Sequence, residues 1–151
     1  MKRAIFSVAL AIAFMAGISA QDKPNFAGTW RSSGSFNSWT ITVDGSKMTV
    51  TMTVAGNSDS TVYMLDGTPS TKTLEGPNGP VEQVYSSTWE GGVLVTTITT
   101  PPPAAMTLVE RRSIEADGTM KVQTNLTMMR GKPAPPAPPG AEAPMVFKKV
   151  G

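Results

Sequence analysis

The 151-residue chain contains neither cysteine nor histidine. Without cysteine no disulfide can cross-link the fold, so stability has to come from burial alone. The two absences also remove the common nucleophile–base pairs, most transition-metal ligand sets and the axial histidine of haem carriers. No Gly-x-Ser-x-Gly elbow, phosphate loop or calcium loop compensates for them. Charge is sparse as well, at 16% of residues, and the acids are scattered. Asp44, Asp66, Glu90 and Asp117 each precede a glycine, which marks them as turn formers rather than as the paired carboxylates of a glycosidase. The expectation is a protein that is not an enzyme and holds no cofactor or metal. Basic residues cluster no further than the pairs Arg111-Arg112 and Lys148-Lys149, so no nucleic-acid-binding face is expected.

Long apolar runs are missing except at the start. Lys2 and Arg3 precede an apolar stretch from Ala4 to Ile18 that ends in Ser19 and Ala20. Positive charge, a short apolar core and small residues are the three parts of a secretory signal peptide. The run is shorter than the roughly 20 residues of a membrane span. Residues 1–20 are therefore expected to be a signal-peptide helix removed after Ala20, and 21–151 a single exported domain, periplasmic or extracellular, with no integral membrane anchor. Loss of Lys2 and Arg3 leaves Lys plus Arg equal to Asp plus Glu, so the basic character of the full chain does not carry over to the mature one.

After the leader the dominant pattern has a period of two. From Lys47 to Val54 the residues Met48, Val50, Met52 and Val54 alternate with Lys or Thr. Trp39, Ile41 and Val43 do the same, as do Met120, Val122, Leu126 and Met128. Such alternation describes strands with one buried and one wet face. Asp44-Gly45-Ser46, Gly91-Gly92 and Asp117-Gly118 fall between candidate strands, where tight hairpins need their backbone freedom. Further strands are expected over 26–32, 61–65, 71–74, 85–90, 93–99, 108–116 and 145–150, giving about eight to ten in sequential hairpins. A meander of that size has to hide one apolar face and two edges. The expected fold class is all-β, an antiparallel up-and-down barrel, with a two-sheet β-sandwich as the alternative.

Proline interrupts the pattern at Pro101-Pro102-Pro103 and from Pro133 to Pro144, within a loop expected over 131–144. Proline gives no hydrogen to a ladder, so both stretches read as extended loops at barrel ends. The longer one is either a surface loop or a polyproline segment shown to a partner.

The segment Asn25-Phe26-Ala27-Gly28-Thr29-Trp30 resembles the Gly-x-Trp signature on the first strand of the calycins, the group that includes lipocalins and fatty-acid-binding proteins. Asp-Gly hairpins, Trp89-Glu90-Gly91-Gly92 and a terminal Lys-Lys-Val are similar in layout to small exported bacterial lipocalin-like proteins of unknown role. The resemblance implies that Gly28 permits a tight bend, that Trp30 plugs the barrel floor, and that Lys148 or Lys149 covers the indole. No helix follows the last strand as in lipocalins, and no helical lid follows the first as in fatty-acid-binding proteins.

One strand mixes charge with apolar residues. The face carrying Met106, Leu108 and Ile114 also carries Glu110 and Arg112. Either that face looks inward, where Arg112 suits a carboxylate head group, or a bulge turns residues 110–112 to solvent. The chain also has ten methionines. Thioethers bind Cu(I), but Met48 and Met52 on one strand lie roughly 13 Å apart, too far for a single ion. Met48, Met52 and Met128 read better as adaptable lining of a core or lumen.

Two functions follow. One is a barrel that binds a small hydrophobic or amphipathic ligand in its lumen, lined by Arg112, Glu110, Met106, Leu108, Met48, Met52 and Met128. The other is a packed envelope module that binds proteins and has no small ligand. An eight-stranded outer-membrane barrel fits less well, because the strands are short and aromatics make up only 7% of the chain.

Overall fold

Every strand pairs antiparallel to its neighbours, so a single ladder accounts for the architecture. The computed structural model describes residues 22–32 and 37–151. The expected signal peptide lies outside the described residues. In chain order the strands are β1 (Gly28–Ser32), β2 (Ser38–Asp44), β3 (Lys47–Val54), β4 (Asn57–Met64), β5 (Ser70–Gly76) and β6 (Gly79–Glu90). They continue with β7 (Val93–Thr100), β8 (Met106–Ile114), β9 (Met120–Met129), β10 (Lys132–Pro133) and β11 (Met145–Val150). No helix occurs among the described residues, and none there is long and apolar enough to cross a membrane.

The strand order is β4-β3-β2-β1-β11-β9-β8-β7-β6-β5, with β10 attached to β9. The central strand β1 joins the first and last parts of the chain, and the ends of the sheet, β4 and β5, curl back to meet. One continuous ladder excludes the two-sheet sandwich. The seam between β4 and β5 is closed by side chains: Ser70 Oγ donates to the Val62 carbonyl at 2.6 Å, and Lys72 reaches Asp59 and Thr61 Oγ1. The result is a nearly closed antiparallel barrel of ten strands, with β10 as a short spur.

Two strands are longer than the alternation indicates. β4 starts at Asn57, where Asn-Ser-Asp-Ser has no apolar face. Hydroxyl pairs to β3 accompany the ladder there, Thr51–Ser60 at 2.8 Å and Thr53–Ser58 at 2.9 Å. The preceding hairpin turns on Ala55 and Gly56, both at positive φ, a conformation that alanine does not advertise. β6 starts at Gly79 and carries Pro80 next to its first residue, a strand end where proline costs little. The Pro-rich segment also departs from a free loop. The Ala134 amide donates to the Thr127 carbonyl at 2.9 Å, and Gln123 Nε2 to the Glu142 carbonyl at 3.1 Å, which strap it along β9.

The barrel has a solid end. Phe26, Trp30, Trp39, Ile41, Met48 and Phe147 belong to its buried cluster. Trp30 Nε1 donates to the Phe26 carbonyl at 2.8 Å, so its one polar atom is satisfied inside. Register decides which lysine covers it. Lys149 stands opposite Trp30 with Nζ 5.5 Å from the indole centre, whereas Lys148 pairs with Arg31 on the other face. Gly28 has φ +137°, and a Cβ there would lie 2.5 Å from Lys149 Cε. Gly28→Ala therefore combines backbone strain with displacement of the lysine. It should lower unfolding free energy by about 1–3 kcal/mol in urea denaturation, with Trp30 still buried as judged by its fluorescence maximum.

Candidate functional site

β8 keeps strict alternation along its length, which places Met106, Leu108, Glu110, Arg112 and Ile114 on one face. A register shift does occur beside it, but the extra residue belongs to β9: Leu126 stands opposite Leu108, whereas Met128 stands opposite Thr107. Partners across an antiparallel ladder share a face. Glu110 and Arg112 therefore stay with the inward set, and the bulge turns Met128 to the other face. Arg111, between them, is exposed and pairs with Glu90 at 2.8 Å.

Arg112 is 0% exposed and Glu110 7%. Their Nη2 and Oε1 atoms are 2.8 Å apart. The remaining sides of the guanidinium are occupied. Nη1 lies 3.8 Å from Met48 Sδ, and the carbon centre lies 4.9 Å from the Tyr63 ring, 5.5 Å from Trp39 and 6.0 Å from Phe26. Nε finds no partner among the described residues. A buried guanidinium survives only when paired and surrounded by polarisable faces, and here it has both. Burial opposes its charge, but Glu110 and Tyr63 outweigh that and hold its pKa above the ordinary value. Burial, followed by the Glu110 carboxylate, pushes the Tyr63 phenol well above its ordinary 10.0. Burial likewise raises Tyr85, the chain's other tyrosine.

The pair divides the interior. On its floor side lie Met48, Met120 and Val122, all fully buried. On its mouth side the inner face is open on β3 and β9, with Met52 and Leu126 each 36% exposed and Thr124 exposed as well, whereas Tyr85, Ile98 and Thr100 on β6 and β7 are buried. Polar groups ring this upper half: the Tyr85 hydroxyl donates to Gln83 Oε1 at 2.8 Å, and Gln83 Nε2 donates to Thr100 Oγ1 at 3.0 Å. Lys72, on an inward register, is a further cation and is held by Asp59.

Among the residues singled out from the sequence, Met52, Met106, Leu108 and Glu110 thus border the open half. Arg112 and Met48 lie beneath it, and Met128 leaves it. The aromatic surround of Phe26, Trp39 and Tyr63 was not anticipated, nor was the polar ring on β5–β7. For β4 and β6 the signal existed in the alternation of Thr61, Tyr63 and Leu65 and of Gln83, Tyr85 and Ser87.

Among the clefts formed by the described residues, two bear on the site. The larger, of about 620 Å³, is under the solid end beside Lys23, Val43, Leu65 and Trp89, with Lys23 Nζ 5.4 Å from the Trp89 ring centre. It is not where the buried charges converge. A smaller one, about 310 Å³, separates Leu108, Thr124 and Leu126 from Pro135, Pro138 and Ala141 of the strap, so the Pro-rich segment adjoins the upper lumen.

No protein-family model and no curated protein matches the sequence. Solved structures do match the fold. A secretary abundant heat soluble (SAHS) protein from Ramazzottius varieornatus superposes with a TM-score of 0.58 at 14% identity, over 87% of this chain and 100% of its own. The chain has the calycin-like barrel fold. A structure described as the REP1-NXSQ fatty acid transporter matches the same barrel with a TM-score of 0.52 at 12% identity, over 83% of this chain and 96% of its own. At these identities the likeness concerns the calycin-like fold and carries no residue roles across.

Removing one member of the buried pair leaves the other uncompensated. Arg112→Met or Glu110→Gln should each cost about 3–5 kcal/mol in chemical denaturation, and the joint replacement of both by leucine clearly less than the sum. The tyrosines give a pH signature. Their folded pKa values exceed the unfolded 10.0, so their contribution is complete below pH 10.0 and is lost as pH rises towards the folded values. Ultraviolet titration of the native protein should show no phenolate appearing at the ordinary tyrosine position, and Tyr63→Phe should reduce the loss of stability in alkali.

Proposed function

We propose that residues 21–151 form an exported binding barrel, periplasmic or extracellular, that takes a small apolar or amphipathic molecule into the upper half of its lumen. The observation that carries this reading is the exposure of inward-facing apolar side chains above the Glu110–Arg112 pair, Met52 and Leu126 foremost. A barrel closed for stability alone would gain by filling that space, since each buried CH₂ contributes about 0.8 kcal/mol. The fold is consistent with such use, and the matching fatty acid transporter is described by its ligand.

A packed interaction module of the cell envelope is the second reading. The fully buried lower half favours it, because that part of the barrel has no room for a guest. The strapped Pro-rich segment weighs against it, since the main-chain contacts to β9 leave less of that segment free for a partner.

Native mass spectrometry of the protein exported by a bacterial host, followed by organic extraction, separates the two. A stoichiometric small-molecule adduct that diminishes in Leu108→Arg, which intrudes on the upper lumen, is the expected result. A clean apo mass that persists after exposure to lipid extracts would overturn the binding reading in favour of the packed module.

A further inference from the structure

The upper lumen has inward cations, yet it offers no free positive charge. Along β8 the order from mouth to floor is Met106, Leu108, Glu110, Arg112, and two residues of strand rise about 6–7 Å. Glu110 thus stands on the mouth side of Arg112. The guanidinium behind it is enclosed by Glu110, Met48, Tyr63, Trp39 and Phe26 and exposes no surface. Lys72, an inward cation on β5, is taken up by Asp59 and Thr61. A molecule descending along β8 therefore meets the Glu110 carboxylate before the Arg112 guanidinium.

Glu110 Oε1 is engaged by Arg112, while no described residue donates to Oε2. Its side chain retains slight exposure, 9%. An ionised carboxylate is acceptor-only and forms its strongest bonds with donors. An incoming carboxylate head would instead bring like charge against it in a low-dielectric setting, with the compensating guanidinium shielded behind. A cationic head would be attracted to Glu110 but repelled by the Arg112 charge that Glu110 already balances.

From this arrangement we infer that the lumen selects an uncharged amphiphile whose head donates a hydrogen bond, a long-chain alcohol or primary amide, over the corresponding acid. The inference rests on the lumen-binding reading above. Glu110 Oε2 accepts the head's proton, and the tail lies against Leu108, Met52 and Leu126 in the open half. Arg112 takes no part in ligand contact; it holds the Glu110 carboxylate in place, which makes it a positioning residue.

Equilibrium binding of lauryl alcohol, its methyl ether and laurate to the mature protein tests this directly. The alcohol should bind about tenfold tighter than the ether, the difference expected of one hydrogen bond to a charged acceptor, and laurate should bind more weakly than both. In Glu110→Gln, which leaves Arg112 unbalanced, laurate should gain at least about tenfold. In the variant with leucine at both positions, which removes the buried charges together and guards against a folding defect in the single variant, the alcohol and ether should converge. Equal affinity for alcohol and ether in the wild type, or laurate as tight as the alcohol, would overturn the inference while leaving the lumen as a binding site. Failure of all three probes to bind would overturn the lumen reading itself, and this inference with it.

Discussion

An ion pair in the middle of a small barrel is the constraint on which the other features depend. Each charge taken from water costs several kcal/mol, and the attraction between the two repays this only with good geometry and further partners. Arg112 and Glu110 meet at 2.8 Å, and the guanidinium also has Met48 and three aromatic rings around it. Those rings come from the segment before β1, from β2 and from β4, so the pair draws distant parts of the chain together. It also marks a change along the barrel: hydrophobic packing fills the interior around and below Arg112, and above Glu110 the inner face is wet on β3 and β9 while Tyr85 and Ile98 stay buried.

The same division explains how a chain without disulfides closes. At the solid end, Trp30 is held by its bond to the Phe26 carbonyl and covered by Lys149, which requires the missing Cβ of Gly28. At the seam, β4 and β5 share no ladder and rely on Ser70 and Lys72. Burial thus secures the floor strongly, and polar side chains secure the seam more weakly.

Much of the barrel was legible in the residues. The alternation around Met48–Val54 and Met120–Leu126 marks strands because only one face is buried, and the Asp-Gly turns divide them correctly. The Gly28–Trp30 motif identified the floor. The start of β4 was not legible, since Asn57 to Ser60 are polar on both faces and are held by backbone pairing and hydroxyl contacts with β3. The orientation of Glu110 and Arg112 depended on which strand absorbs an extra residue, and local sequence does not say that β9 does so. That single residue explains both the inward pair and the departure of Met128. The aromatic surround of Arg112 joins residues 26, 39, 63 and 112, a tertiary fact with no local signature.

The central claim is that the Glu110–Arg112 pair separates a solid lower barrel from an upper one that is open on its β3 and β9 side. Methionine-methyl NMR with a neutral, soluble paramagnetic agent tests it most directly, because the methionines sample both halves. The account predicts strong relaxation enhancement for Met52 and little for Met48 and Met120, which are fully buried. Equal enhancement of Met48, Met120 and Met52 would mean that solvent passes the ion pair and would contradict the account.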